Sequence, residues 1–332
     1  MESSEIISVL ADHGLIHADS AVVEPLTGGV SSDISLVSDG KRRLVIKQAL
    51  PQLRVAAHWT VDPVRNRYEQ AYINFVATFE PTAVPRILYS DVERSFFAME
   101  YLAPPLENWK TRLLSEPADE HTASRTGEIL GKIHAASWDR EDVKSAFDNT
   151  ELFHELRSAP YFLHAAASHP DVAARIREQT ARLEANRRCL VHGDYSPKNL
   201  LVSPERVVLL DCEVAWFGDP AFDVGFLLNH LFLKASHRPG RGSEYLDLSS
   251  AFWCEYKAQM GESRAAAIES NLGWLLPMLM LARVDGKSPV EYLSAENQEH
   301  VRRFAVERLH DSPLSLGAIR DAWQTKLQQI RI

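Results

Sequence analysis

Cysteine is scarce: the 332 residues include three, Cys189, Cys212 and Cys254. None stands in Cys-x-x-Cys spacing, so neither a zinc ribbon nor a disulfide framework is expected, and buried reduced thiols are. Positive charge is also in deficit. Lys and Arg number 36 against 45 Asp and Glu, a formal net charge of −9, without a dense basic run. Nucleic acid is therefore not an expected partner. Long hydrophobic runs are missing as well. The longest, near Leu272–Ala282, is too short to span a bilayer and contains Pro277, so no membrane partner is expected. The opening MESSEIISVLADHGLI carries Glu2 and Glu5 and no basic n-region, unlike a signal peptide, and a cytoplasmic location is the expectation. There is no internal repeat of roughly 20–50 residues and no low-complexity segment.

What remains is a globular composition: 45% hydrophobic, 24% charged and 9% aromatic. The length suits two domains, or one unit of two lobes. The first hundred residues read as strands around one helix. Ile34, Leu36 and the run Leu44–Ile46 have strand character, with a hairpin turn at Asp39–Gly40. A Gly-Gly-x-Ser-Ser loop (Gly28, Gly29, Ser31, Ser32) thus lies inside an antiparallel meander. It does not open a helix, which argues against a dinucleotide fingerprint or a Walker loop. By itself such a loop is also an ordinary turn, but its glycines allow close approach to phosphates, and its amides and hydroxyls can donate to them. Tyr68, Tyr72, Phe75, Val76 and Phe79 then recur at helical spacing, and two more strands follow around a turn near Asp91–Arg94. Lys47 on the third strand, with Glu69 on the helix, has the makings of an ion pair that holds nucleotide phosphates.

The rest reads as mostly helical. A stripe of Ile129, Leu130 and Ile133 ends at His134, which reads as a core residue, and the helices from Asp223 onward read as amphipathic, broken near Gly240, Gly286 and Pro313. Between these lies CLVHGDYSPKNLLVSPERVVLLDCE. It contains His192-Gly193-Asp194, Asn199 five residues after Asp194, two short strands around Pro204–Glu205, and Asp211 at the end of the second. This is the arrangement of kinase catalytic loops. Phosphoryl transfer is positioning and charge neutralisation. Asp194 can orient the attacking hydroxyl; Asn199 and Asp211 are hard oxygen donors for Mg²⁺ on a nucleotide.

With GDPAFDVG following, the chain resembles the aminoglycoside phosphotransferase and choline kinase superfamily, whose fold is that of protein kinases. VIKQALPQLRV, Trp59, Arg65, PRILYSDVE, AMEYL and FDVGFLLNHLFLKA most resemble the 5-methylthioribose kinases, whereas Tyr195–Asn199 is closer to the broad superfamily. The resemblance implies an α+β, bilobal protein-kinase-like fold: a small antiparallel β-sheet lobe plus one helix over residues 1–101, and a large mainly helical lobe over 102–332. It implies ATP and Mg²⁺ as cofactors and a small-molecule hydroxyl as acceptor. A methylthioribose-like sugar leads; an aminoglycoside or a choline-like amino alcohol is the alternative, and a nucleotide-binding pseudokinase the alternative of another class. Gly28, Gly29, Ser31, Ser32, Lys47 and Glu69 then match the nucleotide site, and Glu100 and Leu102 the hinge that holds adenine. Asp194 matches the catalytic base, and Asn199, Asp211 and Glu213 the metal ligands. His192 and Asp223 match residues that brace the catalytic loop. Trp59, Arg283 and Asp285 are candidates for the acceptor pocket, with a packed Trp59 and a helix end capped by Gly286 before a new helix at Ser288–Pro289 as the plainer accounts.

Overall fold

A computed structural model describes residues 2–26, 32–50 and 65–330. The chain forms two compact units, Met1–Leu106 with Val208–Glu213, and Glu107–Val207 with Val214–Ile332. The first therefore runs past the expected boundary at residue 101 and takes back the short segment Val208–Glu213.

In the first unit, α1 (Ser3–Asp12) buries Ile6 and Leu10, one turn apart. They pack with Ile16, Val37, Leu44, Ile46, Phe96 and Ala98 into one core. The strands β1 (Val22–Pro25), β2 (Ser32–Ser38), β3 (Arg43–Ala49), β4 (Ile87–Asp91) and β5 (Phe96–Glu100) form an antiparallel sheet in the order β1-β2-β3-β5-β4. The turn from β2 to β3 is fixed by Asp39, whose Oδ1 accepts from the backbone N–H groups of Lys41 (2.9 Å) and Arg42 (2.7 Å). These bonds, led by that from Arg42, hold its carboxyl down at about 2.

The helix α2 (Arg65–Ala77) departs from its aromatic pattern. Its buried face is Arg65, Asn66, Glu69, Tyr72, Ile73 and Val76, and Phe79 lies beyond its end, 37% exposed. The face is chosen by the ion pairs of Arg65 and Glu69 rather than by the aromatic stripe.

The second unit opens with β6 (Glu107–Asn108), α3 (Trp109–Ser115), α4 (Glu120–Ser137), α5 (Glu141–Ala146) and α6 (Thr150–Phe153). A π-helical stretch, His154–Leu163, leads into α7 (His164–Ser168) and α8 (Ala173–Ala185). Then come β7 (Cys189–Val191), β8 (Leu200–Val202), β9 (Val207–Leu209), which runs on into the 208–213 segment, and β10 (Trp216–Gly218). β7 and β10 pair antiparallel, which fixes the start of the loop that follows β7.

Five long helices complete the unit: α9 (Ala221–His237), α10 (Gly242–Met260), α11 (Glu262–Asp285), α12 (Ala295–His310) and α13 (Leu316–Ile330). α9 is not amphipathic. Every residue from Ala221 to Ser236 is buried, Asp223, Asn229, His230 and Lys234 included. α11, which contains the Leu272–Ala282 run, is longer than that run suggests. Its 24 residues include a window of mean hydropathy 1.3, enough by length and composition to cross a membrane, and 72% of that window is buried within the protein. Gly286 does cap α11, but not through a left-handed backbone. Its φ is −82°, and a side chain is excluded because a Cβ would stand 2.3 Å from the Ala282 carbonyl oxygen. The next helix starts at Ser294, whose hydroxyl accepts from Asn297 N–H, and not at Ser288–Pro289. Cys189 and Cys212 are buried as expected; Cys254 is exposed instead.

Candidate active site

In the first unit, β3 carries Lys47 inward, and its side chain is 4% exposed. Its ammonium donates to Glu69 Oε1 at 2.8 Å and to Asp211 Oδ1 at 2.6 Å. Beside it, Arg65 Nε donates to Glu213 Oε2 at 3.1 Å, and its Nη2 to the Leu50 carbonyl at 2.5 Å. Burial pulls the Lys47 ammonium down, but the carboxylates of Asp211, Glu69 and Glu213 outweigh it and hold its pKa well above the usual value. The same burial pushes Glu69 up to about 7 against the pull of Lys47, and the neighbouring Asp211 and Glu213 add to the rise. Three carboxylates thus face two cations, Lys47 and Arg65, in a dry setting.

Asp211 is the member of this group that reaches outward. Its side chain is 35% exposed, and its backbone holds φ +62°, a left-handed conformation that Asp tolerates better than most residues. A local excess of acid with a partly open carboxylate is a fair seat for a hard divalent cation. Among the described residues no three His, Cys, Asp or Glu side chains are grouped to hold a metal by themselves. Ser32 starts β2 and is buried, Glu100 ends β5 with its N–H on the Arg86 carbonyl (2.9 Å), and Leu102 follows two residues on. Gly28, Gly29, Ser31 and Trp59 lie outside the described residues.

In the second unit the loop after β7 is fixed from behind. Asp223, on the first turn of α9, accepts from His192 N–H (2.6 Å) on Oδ2 and from Gly193 N–H (3.0 Å) on Oδ1. Asp223 is itself held by His134 Nε2 at 3.3 Å, and His134 Nδ1 meets the Tyr256 hydroxyl at 2.8 Å. Gly193 has φ +79°, and a Cβ there would come within 2.5 Å of the Val214 carbonyl oxygen. Only glycine meets both demands. Asp194 N–H donates to His192 Nδ1 (3.2 Å), and Asn199 Nδ2 donates to the Asp194 carbonyl (3.0 Å). The loop therefore fixes the Asp194 backbone from both sides.

Two cations meet the Asp194 carboxylate at Oδ2: Lys198 Nζ at 3.0 Å and Arg157 Nη2 at 3.2 Å. Arg157 also donates to the Gly193 carbonyl through Nε (2.5 Å) and to the Leu156 carbonyl through Nη1 (2.8 Å). The sequence gives no motif for Arg157, which stands among other charged and polar residues in HELRSAP.

Of the three candidates for the acceptor pocket, the two that lie among the described residues, Arg283 and Asp285, separate. Both oxygens of Asp285 are taken by Arg302 (2.7 Å each), and Oδ2 also meets His169 Nε2 (2.8 Å). Asp285 thus ties α11 to α12. Arg283 donates to the Ser288 carbonyl (2.5 Å) and hydroxyl (3.2 Å) from Nη1, while its Nε is buried without a hydrogen bond. A cavity of about 620 Å³ elsewhere in this unit is lined by Trp138, Gln179, Asn186, Asp219, Asn271 and Trp274, and contains none of the predicted residues. The Arg175 guanidinium lies 4.2 Å from the centre of the Trp274 ring.

A family model described as "Phosphotransferase enzyme family" matches residues 22–252. The methylthioribose kinase of Bacillus velezensis is 27% identical over 252 residues, which cover 68% of this chain and 64% of that protein. Methylthioribose kinase 2 of Oryza sativa subsp. japonica is 23% identical over 258 residues, 69% of this chain and 60% of that one. The chain thus spans less than two thirds of the length of these relatives. The choline kinase structure from Cryptosporidium parvum superposes with a TM-score of 0.56 over 99% of this chain and 96% of its own, at 13% identity. A microcompartment-associated aminopropanol kinase gives 0.54 over 97% and 99%, at 17% identity. At those identities the likeness is one of fold: a small antiparallel sheet with a large helical part.

Proposed function

Because the chain belongs to the phosphotransferase enzyme family, we propose that it transfers the γ-phosphate of ATP to a hydroxyl of a small metabolite, a sugar related to methylthioribose. The observation that carries this reading is the Asp194 loop, held by Asp223 behind and by Asn199 beside it. Asp194 accepts a hydrogen bond from the acceptor hydroxyl and takes its proton as the oxygen attacks phosphorus. Lys198 and Arg157 share one oxygen of that carboxylate and hold it in place. Lys47 binds nucleotide phosphates, with Glu69 holding its ammonium in place. Asn199 and Asp211 would hold Mg²⁺, and Glu213, paired to Arg65, supports Asp211 from two residues away. The ion, when bound, supplies neutralisation of phosphate charge. The names of the relatives support a pentose-like acceptor over an aminoglycoside or an amino alcohol. Lys47, Asp194, Asn199 and Asp211 together disfavour a pseudokinase.

The test is ATP turnover over a panel of sugars, amino alcohols and aminoglycosides, with wild type and Asp194→Asn. Loss of general-base catalysis lowers kcat by roughly a hundredfold or more, with nucleotide affinity kept. Asp194→Asn turning over at the wild-type rate would overturn the mechanism, and turnover of aminoglycosides alone would overturn the acceptor class.

A further inference from the structure

Lys234 is 1% exposed, deep in the all-buried α9. Among the described residues no hydrogen bond or ion pair reaches its ammonium, which lies 5.1 Å from the centre of the Tyr292 ring. A buried ammonium with no counter-charge is costly, and proteins seldom keep one without a use. Around it stand further cations. Lys110 Nζ lies 6.0 Å from the centre of the same Tyr292 ring, and the Arg283 guanidinium lies 5.6 Å from the centre of the Tyr161 ring. That Tyr161 ring is also 5.7 Å from Arg157, which holds Asp194. Tyr161 stacks on Phe226, and Phe226 meets His230, one turn before Lys234. The cluster therefore leads back, side chain by side chain, to the carboxylate that would receive the acceptor's proton.

Its polar capacity is unspent. Arg283 Nε and the Tyr292 hydroxyl are both buried without a hydrogen bond. Compensating acid is thin: Glu291 pairs with Lys110, and Asp285 is consumed by Arg302 and His169. Burial and the surrounding positive charges of Lys110 and Arg283, opposed by Glu291, pull the Lys234 pKa down to about 7. His230 is driven down by burial and by Arg283, Lys234, Lys198 and Lys110 in turn. In a chain with a net charge of −9, this concentration of cations near one carboxylate is not a property of composition.

Resting on the reaction proposed above, we infer that the acceptor carries an anionic group, a carboxylate or a phosphate, which docks on Lys234 and Arg283 with the Tyr292 hydroxyl donating to it, while the acceptor's hydroxyl meets Asp194. An anion supplies the missing counter-charge and takes up all three unspent donors. A quaternary or protonated amine would meet like charge. The acceptor class narrows from pentose-like sugars to acidic ones, such as sugar acids and sugar phosphates.

The experiment is calorimetric titration of the intact protein, with ADP and Mg²⁺ present, using ribonate, ribose 5-phosphate, ribose and ethanolamine as probes. One or both anions should bind about tenfold or more tightly than ribose, as a charge-assisted contact predicts. The stronger arm identifies carboxylate or phosphate. Lys234→Met and Arg283→Met should each erase most of that preference and leave ADP affinity unchanged. Ribose or ethanolamine binding as well as both anions overturns the inference, as does an anion preference unchanged in both variants. Loss of ADP binding in the wild type would instead overturn the proposed reaction. Lys234→Met removes an uncompensated buried charge and matches the side chain's length, so it should fold; its thermal melt verifies this.

Discussion

Arg157 joins two parts of one loop, because its guanidinium holds the Gly193 carbonyl and the Asp194 carboxylate together. Breaking a buried, hydrogen-bonded charge pair costs about 3–5 kcal/mol where both partners are dry. Arg157→Met should therefore lower kcat by roughly ten- to a hundredfold and leave the KM for ATP near its wild-type value, since no nucleotide contact is assigned to it. Arg157→Lys should recover part of the loss by restoring charge without the second contact. A rise in the KM for ATP as large as the fall in kcat would show that Arg157 acts on nucleotide binding instead. Lys234 makes a different prediction. Its ordinary value of 10.5 falls to about 7 in the fold, with Lys110 on α3, Arg283 on α11, and Glu291 and Tyr292 beyond α11 facing it. Between these values the unfolded chain holds the proton and the folded chain releases it, so stability rises with pH across that window. Urea midpoints at about pH 7 and about pH 9.5 should differ more in the wild type than in Lys234→Met. Equal differences would mean that the ammonium keeps its ordinary affinity for protons.

At the scale of elements, the loop after β7 depends on one backbone conformation. Gly193→Ala introduces a methyl 2.5 Å from the Val214 carbonyl oxygen at φ +79°. The left-handed conformation alone costs about 1–2 kcal/mol for a residue with a Cβ, and the contact adds to it. The variant should melt several degrees lower, and a greater loss in kcat than in melting temperature would locate the damage at Asp194. A fully active, equally stable Gly193→Ala would show that the loop can adopt a second path. How far such elements were legible depends on whether the signal was local. The Asp39–Gly40 hairpin, the Lys47–Glu69 pair and the span from His192 to Asp211 follow from turn chemistry and close spacing in sequence. The buried face of α2 did not, because Arg65 and Glu69 are buried by partners as distant as Glu213, 148 positions on. Arg157 was not legible because it lies in a π-helical stretch with Pro160 inside, where the 3.6-residue pattern used to assign faces does not apply. The start of α12 was misplaced because Ser288–Pro289 has the composition of a helix start, while the Ser294 hydroxyl supplies the cap.

At the scale of the whole chain, the two units are not independent, although each has its own core. Residues 208–213 complete the first unit, yet they are tethered at both ends to the second, through Val207 and Val214. That segment brings Asp211 to the buried Lys47 ammonium, and Cys212 to the Glu69 carbonyl at 3.6 Å. If the second unit unfolds, the segment loses its tethers, and Lys47 keeps only Glu69, a buried cation short of a partner. Unfolding of the second unit should therefore destabilise the first, and the chain's thiols can report the order. Cys212 lies in the first unit and Cys189 in the second, both buried with their thiols pushed well up by burial, so neither forms thiolate readily while folded. Cys254 is exposed and should be alkylated in the native protein. Pulsed alkylation across a urea series, read by peptide mass spectrometry, should label Cys212 at or below the urea concentration that labels Cys189. A Cys212 that stays protected after Cys189 has reacted would mean that the first unit holds together without the second and that the Asp211 contact contributes little to it.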